Sequence, residues 1–99
     1  MLKALLKNEI TQEDFINYYN IIVLLKKLPK NVHGLAFKKN NNFVVINSLL
    51  GEENKKKALL HEFAHIELNH LDKDFFKTKI KDLEDEADIY INELLNSLV

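Results

Sequence analysis

The strongest constraint on this chain is where its chain-breaking residues fall. Pro29, Gly34 and Gly51 are its only proline and glycines, and all three lie between positions 29 and 51. Residues that stop helices or permit tight turns are therefore confined to the middle, so helices are expected at both ends and turns and strands at the centre. Near the N-terminus, Thr11-Gln12-Glu13-Asp14 offers a capping hydroxyl followed by acids that suit a helix dipole. Phe15, Tyr18, Tyr19, Ile22 and Leu25 then recur at three- and four-residue spacing, which predicts a helix over 11–28 stopped by Pro29. Met1 to Leu6 suits a short helical turn ahead of it. In the middle, Val32 to Phe37 and Phe43 to Ile46 have extended, β-branched and aromatic character. The polar run Lys38 to Asn42 between them suits a hairpin turn. Two strands alone are marginal, so they are expected to pack on a helix or gain a third partner.

From Glu52 the helical pattern returns. Leu59, Phe63 and Ile66 line one flank and Leu60, Ala64 and Leu68 another, as in a central, mostly buried helix. Asn69 to Lys73 is a polar break, and a last helix over 79–97 turns Ile80, Leu83, Ala87, Ile91, Leu94 and Leu98 inward. The expected fold class is α+β, with about three helices and a short two- or three-stranded antiparallel sheet, in a single domain spanning 1–99. The absence of cysteine excludes disulfides, Cys-ligated zinc, iron–sulfur clusters and thiol catalysis. In a domain this small, the lack of disulfide staples also points to the cytoplasm. Fourteen basic and fifteen acidic residues, a net charge of -1, leave no global basic excess for nucleic acid. No apolar run approaches the roughly 20 residues that span a bilayer, and MLKALLKNEI is too short and too interrupted by Lys3, Lys7 and Glu9 for a signal peptide. Neither direct nucleic-acid binding nor membrane association is expected.

The chemistry lies in the last two helices. His61-Glu62-Phe63-Ala64-His65 is an H-E-x-x-H motif. Four residues advance a helix by about 400°, so both imidazoles project from one face, where two nitrogens can hold zinc at about 2.0–2.1 Å. Glu62 stands about 100° round from His61, placed to take a proton from water that the metal has activated. Catalytic zinc ordinarily takes three protein ligands, and without cysteine the third must be His, Asp or Glu. On the last helix, Glu84 and Asp88 differ by only about 40° and border the inward stripe, whereas Glu86 points roughly 160° from Glu84. Glu84 is thus the expected third ligand. Asp88, one turn on, is placed to accept a hydrogen bond from a ligand histidine's other nitrogen.

These residues resemble a known family. H-E-x-x-H followed on the next helix by E-x-x-x-D is the gluzincin pattern of zinc metallopeptidases. The stretch from Phe43-Val44-Val45-Ile46-Asn47 through His61-Glu62-Phe63-Ala64-His65 to Glu84-Asp85-Glu86-Ala87-Asp88 resembles the core of ImmA/IrrE-type peptidases. The resemblance implies a small gluzincin-like core with zinc held by His61, His65 and Glu84, and Glu62 as the catalytic carboxylate. Ala64 stands where the family commonly has glycine. Asn69 stands where a histidine often follows the motif, with His70 one position late, so no role carries over to His70. The implied activity is a zinc-dependent endopeptidase cleaving a cytoplasmic regulatory protein, such as a DNA-binding repressor of a phage or mobile element. The implied partner is that protein or peptide substrate, and homo-oligomers are compatible with it. The alternative is a catalytically silent or latent metal-binding module of the same fold. An oxyanion would need a further donor, and Tyr18, Tyr19, Tyr90, His33 and His70 remain unranked. Phe43 to Ile46 is a candidate edge for an extended peptide to join by strand addition.

Overall fold

The computed structural model describes residues 1–72 and 80–96, with the side chains at 72, 80–86 and 94 outside that description. Among the described residues the elements run α1 (Leu2–Leu6), α2 (Gln12–Tyr18), β1 (Ile21–Lys26), β2 (Gly34–Lys39), β3 (Asn41–Asn47), α3 (Glu52–Glu67), a 3₁₀ turn (His70–Asp72) and α4 (Ile80–Asn96). The class is α+β, as expected. No described helix is long and apolar enough to cross a membrane.

The helix expected over 11–28 is instead two elements. Its start is as read: the Thr11 hydroxyl accepts from the Asp14 amide, and the Asp14 carboxylate accepts from the Thr11 amide. It ends at Tyr18 because Asn20 adopts the left-handed conformation, at φ 53°. Beyond it the β-branched run Ile21-Ile22-Val23 pairs as a strand, which outweighs the helical spacing of Ile22 and Leu25. Asn20 is one of four such residues. Asn8, Asn40 and Asn69 also have φ near 60°, and each follows an element or joins two. In a chain with two glycines, neither at positive φ, asparagine takes the turn positions.

The sheet order is β1-β3-β2. The expected hairpin is present, with β2 antiparallel to β3 about Asn40. The added strand makes the sheet mixed rather than wholly antiparallel, since β1 runs parallel to β3 with Val23 opposite Val44. A parallel neighbour needs a crossover, and Asn47 secures it. Its buried Nδ2 donates to the carbonyls of Leu28, Pro29 and Val32, and its Oδ1 accepts from the Leu28 and Leu49 amides. Asn42 closes the other end, its Nδ2 donating to the Tyr19 carbonyl at 2.7 Å.

Helix α3 lies across one face of this sheet and α4 packs on α3. Leu2, Phe15, Ile21, Val44, Ile46, Phe63, Ala64 and Ile66 form the core between them, and Ala87 joins it from α4. Phe15 stacks on Phe63 with ring centroids 4.4 Å apart. Of the predicted inner face of α4, Ala87 is fully buried and Ile91 packs on the core, whereas Ile80, Leu83, Leu94 and Leu98 lie outside the described side chains. The opposite sheet face leaves Ile22, Leu35 and Phe37 exposed, with Phe37 stacked on Phe43.

Candidate metal centre

α3 carries core and polar residues on the same turns. Phe63, Ala64 and Ile66 anchor it, so Glu62 and His65 are buried with them and His61 is held at the rim of a cleft. The cleft, about 860 Å³, lies between α3, the outer strand β2, the 3₁₀ turn and α4. Ala36, Ala58, Leu60, Leu71 and Ile91 supply apolar wall, and His61, Glu62 and His65 converge inside it.

The Nε2 atoms of His61 and His65 are 3.1 Å apart, and the two rings stand at 81° to each other. One donor atom from each of His61, Glu62 and His65 lies within 4.8 Å of the others. Two imidazole lone pairs and a carboxylate converging in a partly buried cleft are the donor chemistry that suits a zinc-like divalent ion. His61 presents its other nitrogen to α4, with Nδ1 2.9 Å from Asp88 Oδ1. Glu84 stands on α4 one turn before Asp88, but its side chain, like that of Glu86, lies outside the described residues.

β2 forms the opposite wall, closest to Glu62 at Gly34. A Cβ at Gly34 would sit 3.0 Å from the Val45 carbonyl oxygen, 3.1 Å from Ile46 Cδ1 and 3.6 Å from Glu62 Cγ. Glycine is favoured there by this tight approach, not by its backbone angles. The Asn47 amide donates to the His33 carbonyl, which sets the alternation along β2. Residues 33, 35 and 37 bond to β3, and Gly34 and Ala36 turn their backbone groups to the free edge. This corrects the expectation for Phe43 to Ile46, because β3 is central and paired on both sides. The open edge beside the cleft is β2.

The five oxyanion candidates separate by position. Tyr18 is exposed away from the cleft, and the Tyr19 and Tyr90 hydroxyls both bond to Glu67. His33 is exposed at the cleft wall. His70 is buried, 2% exposed, with Nδ1 2.8 Å from His65 Nδ1. Asn69, at φ 62° after the end of α3, turns the chain so that His70 returns beneath His65. An asparagine just past a helical run is the sequence signal for that return.

Glu67 was not anticipated. One turn after the core residue Phe63, its carboxylate accepts from the Leu2 amide at 2.6 Å, the Tyr19 hydroxyl at 3.2 Å and the Tyr90 hydroxyl, and pairs with the Met1 amine at 3.0 Å. Burial acts to raise the Glu67 carboxyl, but these donors outweigh it and hold it below the ordinary 4.5. Burial, then the Glu67 charge and hydrogen bond, push Tyr19 above its ordinary 10; Tyr90 is raised by burial and the same partner. The signs predict a stability plateau. A depressed carboxyl stabilises the fold above its unfolded value, and that contribution disappears as pH falls through the folded value. Raised tyrosines stabilise it below their unfolded value, and that contribution declines as pH rises past about 10. Melting temperature against pH should therefore fall on both sides, and Glu67→Gln should flatten both shoulders. Wild-type and Glu67→Gln curves of the same shape would contradict this network.

A family model described as Peptidase_M78, the IrrE N-terminal-like domain, matches residues 16–95. No curated protein and no solved structure matches the chain.

Proposed function

The chain belongs to the Peptidase_M78 family of metallopeptidases, and from that membership we propose that it is a zinc-dependent endopeptidase acting on a cytoplasmic regulatory protein. The observation that carries this reading is the convergence of His61 Nε2, His65 Nε2 and the Glu62 carboxylate in a cleft walled by an open strand edge. His61 and His65 hold the ion through Nε2, and Glu84 is the third ligand. Bound there, zinc supplies Lewis acidity, polarising a scissile carbonyl and lowering the pKa of water towards neutrality.

The chain's own residues do the rest. Glu62 accepts the proton that the attacking water loses and passes it to the departing amine. Its burial beside Gly34 fixes where that proton is held. Asp88 accepts from His61 Nδ1, which keeps the Nε2 lone pair directed into the cleft. Gly34 and Ala36 offer outward backbone groups to an extended substrate, so a peptide can add to β2 as a further strand. The apolar wall suits apolar side chains of that peptide. The resemblance to ImmA/IrrE-type peptidases implies a phage or mobile-element repressor as the kind of substrate.

The test is cleavage of an unstructured protein such as casein, followed by cleavage of candidate repressors. Activity should disappear with chelator and return on adding zinc, with about one zinc bound per chain. Because the ion would join α3 to α4, chelation should also lower the melting temperature. Zinc uptake without any cleavage would identify the latent metal-binding module instead.

A further inference from the structure

The sheet is apolar on both faces. Side chains alternate along a strand, so Val44 and Ile46 join the core while Phe43 and Val45 face the other way. On that second face the register builds two rows: Ile22, Phe43 and Phe37, then Leu24, Val45 and Leu35. Among the described residues, none of these six joins the core between sheet and helices. Ile22, Leu35 and Phe37 are 38%, 39% and 42% exposed, and the Phe37 and Phe43 rings stack with centroids 4.9 Å apart. Strands that pair in parallel, as β1 and β3 do, ordinarily have both faces covered and read as unbroken apolar runs. Ile21 to Leu25 and Phe43 to Ile46 are such runs, yet α3 covers one face only.

The charge around this face has one sign. From Phe15 to Gly51 the chain has five lysines and no aspartate or glutamate. Lys26 and Lys39, both exposed, end β1 and β2 on this face by the same alternation. They stand opposite Asn47 and Asn41, so six residues of register, about 20 Å, separate them along β3. Six apolar side chains between two cations call for an occupant with an apolar stripe and an acid towards each end. We propose that this face docks an amphipathic helix of a partner protein, its aliphatic stripe flanked by glutamates or aspartates. An α-helix covers about 20 Å in about 13 residues, close to the average helix length. Helix on sheet is also the usual way in which a second layer forms.

Other occupants match less well. A second copy would bring lysine against lysine, since the face has no acid to offer. A nucleic acid needs a row of cations along its phosphates, and here two stand at opposite ends with aliphatic side chains between them. A membrane anchor needs apolar side chains that reach below the headgroups, whereas these lie level in a sheet and are more than half covered. The cleft stays open to substrate, because Gly34 and Ala36 turn towards α3 while Leu35 and Phe37 turn towards the partner. Docking is therefore independent of the metal and of hydrolysis.

The probe is a synthetic alanine-based helix of about 20 residues, with a leucine stripe and glutamates about 14 residues apart at its ends. A second peptide has lysine in place of each glutamate. Titrated into the ¹⁵N-labelled full chain, the glutamate peptide should shift amides of β1, β2 and β3 and leave those of α4 unmoved. It should bind about tenfold more tightly than the lysine peptide at low salt, with a smaller gap at high salt. The double variant Lys26→Glu/Lys39→Glu should invert that preference, which a merely apolar face would not do. Leu35→Ser/Phe37→Ser should weaken binding about tenfold. Should that variant not fold, the charge reversal decides, because both lysines are exposed. Equal affinity for the two peptides, no binding of either, or shifts centred on His61 and His65 would overturn the proposal. So would tighter binding to oligothymidine or to vesicles of phosphatidylcholine and phosphatidylglycerol, or a dimer in sedimentation that Leu35→Ser/Phe37→Ser abolishes.

Discussion

Glu62→Gln is expected to lower peptide hydrolysis by about 10²–10⁴-fold while zinc affinity stays within a few-fold of wild type. The substitution keeps the shape of the side chain that packs against Gly34, so the fold and the neighbouring imidazoles should be undisturbed. What it removes is the ability to accept a proton from water. Glutamine has neither the charge nor the basicity for that step, and no other acid among the described residues joins the His61–Glu62–His65 group. Measuring kcat and zinc affinity on the same preparations separates the roles. A parallel fall in both would make Glu62 a ligand; retained turnover would place the base elsewhere.

Glu84→Ala should weaken zinc binding by more than the about 10–100-fold expected for Asp88→Asn, because the first removes the proposed third ligand and the second only the acceptor proposed to orient one. The rotation of α4 carries this ordering. Ala87 is buried and Asp88 reaches His61, so Glu84, one turn before Asp88, belongs to the same flank of the helix. Glu86→Ala, roughly 160° round from Glu84, should change the affinity little and serves as the control. Competition titrations against a chromophoric chelator rank the variants. A larger loss for Glu86→Ala than for Glu84→Ala would mean the third ligand has been assigned to the wrong flank.

Local patterns were readable and distant consequences were not. The hairpin of β2 and β3, the extent of α3 and the proximity of His61 and His65 all follow from residues close in sequence. So does the orientation of α4 near Asp88, where helical phase alone is enough. β1 was hidden because Phe15, Tyr18, Tyr19, Ile22 and Leu25 mimic a helical stripe, while Asn20, the residue that breaks it, resembles any polar residue until its φ is known. Its parallel pairing with β3 depends on a crossover held by Asn47, twenty residues beyond the strand it secures. The Glu67 and His70 contacts were hidden for a related reason. Each joins segments through a turn or a core whose geometry no short window contains, although an acid one turn after a core phenylalanine marks the first.

From His61 to Ile66, α3 interleaves chemistry with packing: Glu62 and His65 are buried beside the core residues Phe63, Ala64 and Ile66. Such a stretch has little freedom to drift, because any change there disturbs the reacting groups and the fold together. Divergence has to occur around it. Asn31, His33, Lys57, Asn92 and Leu95 all line the same cleft while remaining exposed, on the strand wall and the outer rims of the two helices. These are the positions at which a laboratory library, or natural drift, could retarget the cleft to a new sequence without unseating the imidazoles.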